Sequence, residues 1–113
     1  PGARFVVGDC FGLAAICPPA GAVLSRGVLL SHYGQQQGQA LLAAGRAALV
    51  PGGFLVLDFL NEAARTKYLH PPPAKIHFTP ERACEMARRV GFWKASVLGE
   101  ADRRVLLLLA EAD

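Results

Sequence analysis

Charge is scarce in this chain: Asp, Glu, Lys and Arg make up 19% of its 113 residues, against 52% hydrophobic residues. That balance excludes a disordered polyelectrolyte, and the length leaves room for no more than one core. Cysteine is sparse as well. Cys10, Cys17 and Cys84 are odd in number and form no C-x-x-C pair, which excludes a disulfide framework and a zinc knuckle and predicts reduced, mostly buried thiols. His32, His70 and His77 make neither H-x-x-x-H nor H-E-x-x-H, so no metal site is expected. The longest apolar run, residues 105–110, falls far short of the roughly 20 residues that span a bilayer. The first residues lack the pattern of a signal peptide, and a soluble, cytoplasmic protein with no membrane partner is expected. Lys and Arg exceed Asp and Glu by 12 to 9, yet the basic residues stand singly or in the pairs Arg88–Arg89 and Arg103–Arg104. Without a dense basic stripe and interleaved aromatics, no nucleic-acid partner is expected.

What is present alternates between two periods. Residues 4–7, Arg-Phe-Val-Val, read as a strand that ends in Gly8-Asp9 and so carries a carboxylate at its tip. Pro18, Pro19 and Gly21 mark a loop, and residues 22–24 and 28–30 read as apolar strand material interrupted by Ser25-Arg26-Gly27. Leu41, Leu42, Gly45 and Leu49 fall at helical offsets, predicting a helix over about residues 36–49 that Pro51-Gly52-Gly53 stops. The continuous apolar run 54–57 has the form of a strand covered on both faces by helices. His70 and the three prolines after it predict an extended connection. Thr79-Pro80-Glu81 is a helix start, with Thr79 as N-cap and Pro80 at the first helical position, and Ala83, Met86, Ala87 and Val90 continue it to a stop at Gly91. Residues 93–98 and 103–110 are two further strands joined by a hairpin-length link.

The order of these elements carries a family resemblance. The helix that leads through Leu49-Val50-Pro51-Gly52-Gly53 into Phe54-Leu55-Val56-Leu57-Asp58, the earlier Val7-Gly8-Asp9-Cys10, the middle Val23-Leu24-Ser25-Arg26-Gly27 and the final helix running into Gly91-Phe92 resemble the C-terminal half of class I S-adenosylmethionine-dependent methyltransferases. The resemblance implies an α/β, Rossmann-like sheet, mostly parallel with a C-terminal antiparallel hairpin. It covers residues 1–113 as the C-terminal portion of a single methyltransferase domain. The family's N-terminal strands and its glycine-rich loop have no counterpart in the sequence, and Gly8 to Gly12 is not a dinucleotide fingerprint.

The implied activity is methyl transfer from S-adenosylmethionine to a small-molecule acceptor by the complete domain. Asp9 would accept a hydrogen bond from the adenine amino group, the Cys10 backbone would meet the ring edge, and Phe11 would pack alongside; on residue type alone, Asp9 is equally a turn-forming residue. Ser25, Arg26 and Gly27 would pass the methionine end of the cofactor, where Arg26 could hold a carboxylate or make only a surface ion pair. His32 and Tyr33 follow where the acceptor would lie, and either could orient or deprotonate it. Asp58 stands in an apolar strand and needs a partner if buried. Leu24-Ser25-Arg26-Gly27 is no G-x-S-x-G elbow, which counts against a hydrolase. A dehydrogenase would equally lack its glycine loop. The alternative from another class is a non-catalytic, truncated Rossmann-like module. In either case the surplus of apolar residues predicts self-association through an exposed sheet edge or helix faces.

Overall fold

The computed structural model describes residues 2–27, 29–67 and 75–113. Val28 and the predicted His70-proline connection lie outside them. Among the described residues, five strands form one open mixed sheet: β1 (Ala20–Ser25), β2 (Leu49–Asn61), β3 (His77–Phe78), β4 (Lys94–Leu98) and β5 (Val105–Glu111). The spatial order is β1-β2-β5-β4, with β3 pairing in parallel beside the end of β2. β1 is parallel to β2, whereas β5 is antiparallel to both β2 and β4. Four strands therefore run one way and β5 is inserted against them, as a terminal hairpin in a Rossmann-like sheet requires.

Three helices accompany the sheet: α1 (Leu13–Ile16), α2 (Gln35–Ala47) and α3 (Pro80–Arg89). α3 begins as its local chemistry dictates. Thr79 is extended at the N-cap and its hydroxyl accepts from the Arg82 N–H at 3.1 Å, Pro80 takes the first helical position, and Glu81 lies in the first turn. α2 and α3 cover one face of the sheet, where Leu41, Leu42, Met86 and Ala87 join Leu55, Leu57, Phe59, Leu106 and Leu108 in a single core.

Five expectations are corrected. Residues 4–7 form no strand: no neighbouring backbone pairs with them among the described residues, and Phe5 and Val7 stand almost fully exposed. Residues 29–32 turn as a 3-10 helix rather than continuing β1. Pro51-Gly52-Gly53 does not precede β2 but lies within it, as an irregularity where Ala20 pairs with Leu49 yet Ala22 pairs with Phe54. Gly52 is left-handed there (φ 81°), and a Cβ on Gly53 would stand 2.9 Å from the Gly21 carbonyl oxygen, so β1 and β2 approach closely because that residue has no side chain. Finally, among the described residues β2 is covered on both faces only over its last part, residues 57–61, and not around residues 54–56. Burial alternates along β5, and Leu24, Phe54 and Leu107 on the face away from the helices are 73%, 39% and 40% exposed. Trp93 also stays outside β4 and is exposed.

Candidate active site

The carboxyl ends of β1 and β2 point the same way, and the segments that leave them gather the residues of interest. Open α/β sheets bind ligands at such ends. Asp9 precedes a 3-10 turn, Cys10–Gly12, that continues into α1. Its carboxylate accepts from the Phe11 N–H at 2.9 Å and so caps that turn, while the residue stays exposed. The turn sets Phe11 edge-on to Tyr33, with ring centroids 5.1 Å apart. A residue expected beside the adenine, Phe11, thereby meets one expected beside the acceptor, Tyr33.

Cys10 and Ser25 face one apolar cavity of about 230 Å³ that lies between α1, β1 and α2 and is also lined by Leu13, Val23, Leu41 and Gly45. Arg26 and Gly27 leave the end of β1 exposed. Gly27 has φ +115°, a conformation that suits a residue without Cβ, and its N–H donates to Asp58 Oδ2 at 2.9 Å. Asp58 is buried in β2, so its carboxylate ties the departing β1 loop to the middle of the sheet.

His32 is exposed, and the Lys75 ammonium stands 2.7 Å from its Nδ1 and 2.9 Å from its Nε2. Ser31, next to it, is fully buried and accepts the Leu60 N–H on its Oγ at 2.8 Å, while its carbonyl accepts from Ile76. This anchors the 3-10 turn of residues 29–32 to the end of β2 and to the segment entering β3. Asn61, at the last position of β2, is likewise buried: its side-chain amide donates to the Ala101 and Arg103 carbonyls at 2.9 Å each, and its Oδ1 accepts from Ala63. Neither Ser31 nor Asn61 follows from the sequence pattern, because both act through partners far along the chain. Burial, the largest effect, pushes the Cys84 thiol up from its ordinary value, Arg88 opposes the rise and Glu81 adds to it. Among the described residues no His, Cys, Asp and Glu cluster could hold a metal, and no helix is long and apolar enough to cross a membrane.

No protein-family model matches the chain, and no curated protein matches it by sequence. Solved structures do match. A possible exported protein from Bordetella parapertussis superimposes with a TM-score of 0.75 at 16% identity, over 93% of this chain and 42% of its own. The CcbJ methyltransferase from Streptomyces caelestis gives 0.72 at 17%, over 95% and 62%. The magnesium protoporphyrin IX methyltransferase of Synechocystis, solved with bound SAH, gives 0.61 at 15%, over 89% and 48%.

The fold is that of the C-terminal part of S-adenosylmethionine-dependent methyltransferases. The chain spans less than two thirds of the length of each of these proteins. In the methyltransferase fold the antiparallel β5 between β2 and β4 is the feature that separates this sheet from an all-parallel doubly wound one. The candidate residues of this methyltransferase-like sheet fall into two places. Cys10 and Ser25 line the apolar cavity, with Asp9 and Phe11 on either side of Cys10 in the chain, whereas Arg26, Gly27, His32 and Tyr33 lie on the segment that leaves β1, where Tyr33 meets Phe11.

Proposed function

We propose that this chain forms the C-terminal portion of a cytoplasmic methyltransferase domain that transfers a methyl group from S-adenosylmethionine to a small molecule. The observation that carries the reading is the methyltransferase topology combined with an apolar cavity that Cys10 and Ser25 line together, at the loops where an open α/β sheet takes its ligand. The cavity has the apolar lining an adenine ring needs, and Asp9, the residue before its lining Cys10, carries an exposed carboxylate that can accept from an exocyclic amine. Arg26 and the open Gly27 backbone would receive the methionine end.

When bound, S-adenosylmethionine supplies a sulfonium-activated methyl group, which an acceptor takes by in-line displacement to leave S-adenosylhomocysteine. The chain's own contribution is alignment and exclusion of water. Tyr33, held by Phe11, would form one wall of the acceptor space. His32, with the Lys75 ammonium beside its ring, would stand at the rim of the acceptor space.

Calorimetric titration with S-adenosylhomocysteine tests the reading. A longer protein carrying a strand and a glycine-rich turn upstream should bind it, and the 113 residues alone should bind at least tenfold more weakly. Equal affinities would overturn the assignment to part of a domain; absence of binding by both would overturn the methyltransferase function.

The open sheet face supports a second reading, a self-associating module without catalysis. Leu24, Phe54, Leu98 and Leu107 leave much apolar surface exposed. Light scattering of the 113 residues should then give a mass above 12.0 kDa that rises with concentration, and a monomer at all concentrations would remove this reading.

A further inference from the structure

A second cleft, of about 300 Å³, opens between the start of α2 and the start of α3, apart from the cavity beside Cys10. Gln35, Glu62, Ile76, His77, Phe78 and Arg82 line it. Its place in the fold is set by pairing. Ile76 donates its N–H to the Ser31 carbonyl, and His77 and Phe78 pair with Leu60 and Asn61 at the end of β2, so one wall of the cleft is continuous with the turn that carries His32. Glu62 follows directly on β2. The cleft therefore lies at the same carboxyl end of the sheet as the acceptor space described above.

Its chemistry is asymmetric. Glu62 has a cation of its own, Arg65, with 3.6 Å between Oε2 and the Arg65 Nη1. Among the described residues the Arg82 guanidinium donates to the neutral Gln35 side-chain oxygen, and no carboxylate pairs with it. A guanidinium offers a planar fork of donors that one amide oxygen does not use up. Beside it, Phe78 and Ile76 supply an apolar wall. A planar carboxylate on a small apolar body matches this arrangement, because the fork takes both oxygens while the body leaves water.

We infer that the cleft binds the carboxylate of the methyl acceptor through Arg82, so that the acceptor is a small aromatic or aliphatic acid methylated at another position. The assignment to the acceptor rests on the proposed methyltransferase function; the carboxylate site itself does not.

Benzoate is a suitable probe, with benzamide as its neutral match, in amide NMR titrations of the full chain. Benzoate should shift the amides of Gln35, His77, Phe78, Thr79 and Arg82, and benzamide should bind at least tenfold more weakly. Arg82→Gln, at an exposed position, should leave the spectrum folded and weaken benzoate at least tenfold. Equal binding of benzoate and benzamide, an unchanged affinity in Arg82→Gln, or shifts confined to other residues would each overturn the site. The two readings fail separately. Loss of S-adenosylhomocysteine binding in the longer protein, with the benzoate response intact, removes methyl transfer and leaves the carboxylate site standing. The reverse outcome removes only the carboxylate site.

Discussion

Asn61→Ala should lower the unfolding free energy by about 2–4 kcal/mol, among the largest losses available to a single substitution in this chain. The side chain is fully buried and makes three hydrogen bonds, two as donor to the Ala101 and Arg103 carbonyls and one as acceptor from the Ala63 N–H. Truncation removes the partner of each group at once. A buried group left unpaired costs roughly 1–3 kcal/mol, and partial access of water to the link between β4 and β5 keeps the total below the simple sum. Asn61→Asp separates hydrogen bonding from size: it keeps the acceptor for Ala63 but sets a carboxylate against two carbonyl oxygens, and it should destabilise at least as much as alanine. Urea denaturation measures both. A loss under about 0.5 kcal/mol for alanine, at unchanged slope, would mean that the Asn61 network contributes nothing net.

The same residue shows where sequence reading stops. α3 was legible because its start is local chemistry, with Thr79, Pro80 and Glu81 at three adjacent positions, and the helix begins where they predict. β2 was legible in its apolar centre and illegible at its ends. Pro51-Gly52-Gly53 has every local mark of a stop, yet pairing with β1 carries the strand through it, since Gly53 admits the Gly21 carbonyl. Residues 4–7 fail in the opposite direction: Phe5, Val6 and Val7 have strand propensity, but a strand exists only where another backbone receives its hydrogen bonds.

The site divides along the same line. The cap that Asp9 makes spans two residues and follows from residue type, so its turn-forming reading needed no fold. The meeting of Cys10 with Ser25, of Phe11 with Tyr33 and of Arg82 with Gln35 depends on how the helices lie on the sheet. No spacing along the chain encodes those contacts. The hairpin-length link predicted that β4 and β5 run antiparallel, whereas the insertion of β5 beside β2 was implied by the family resemblance and not by any local pattern.

Asp58→Ala should uncouple the loop after β1 from the sheet and, in a longer protein that binds S-adenosylhomocysteine, weaken that binding about tenfold. The physical link is the 2.9 Å hydrogen bond from the Gly27 N–H to Asp58 Oδ2. Gly27 takes φ +115° with open space where a Cβ would stand, and this bond is the described contact that restrains its peptide. Loss of the acceptor releases backbone freedom worth on the order of 1–2 kcal/mol per residue, and binding must then supply that ordering, which corresponds to the tenfold loss. Asp58→Asn retains an oxygen acceptor and should recover most of the affinity. Hydrogen exchange at the Gly27 amide provides the decisive reading: protection should fall at least tenfold in Asp58→Ala and much less in Asp58→Asn. If Asp58 served only the stability of β2, both variants would lower the melting temperature while Gly27 exchange and ligand affinity stayed as in the native chain. That result would remove Asp58 as the residue that positions the loop after β1.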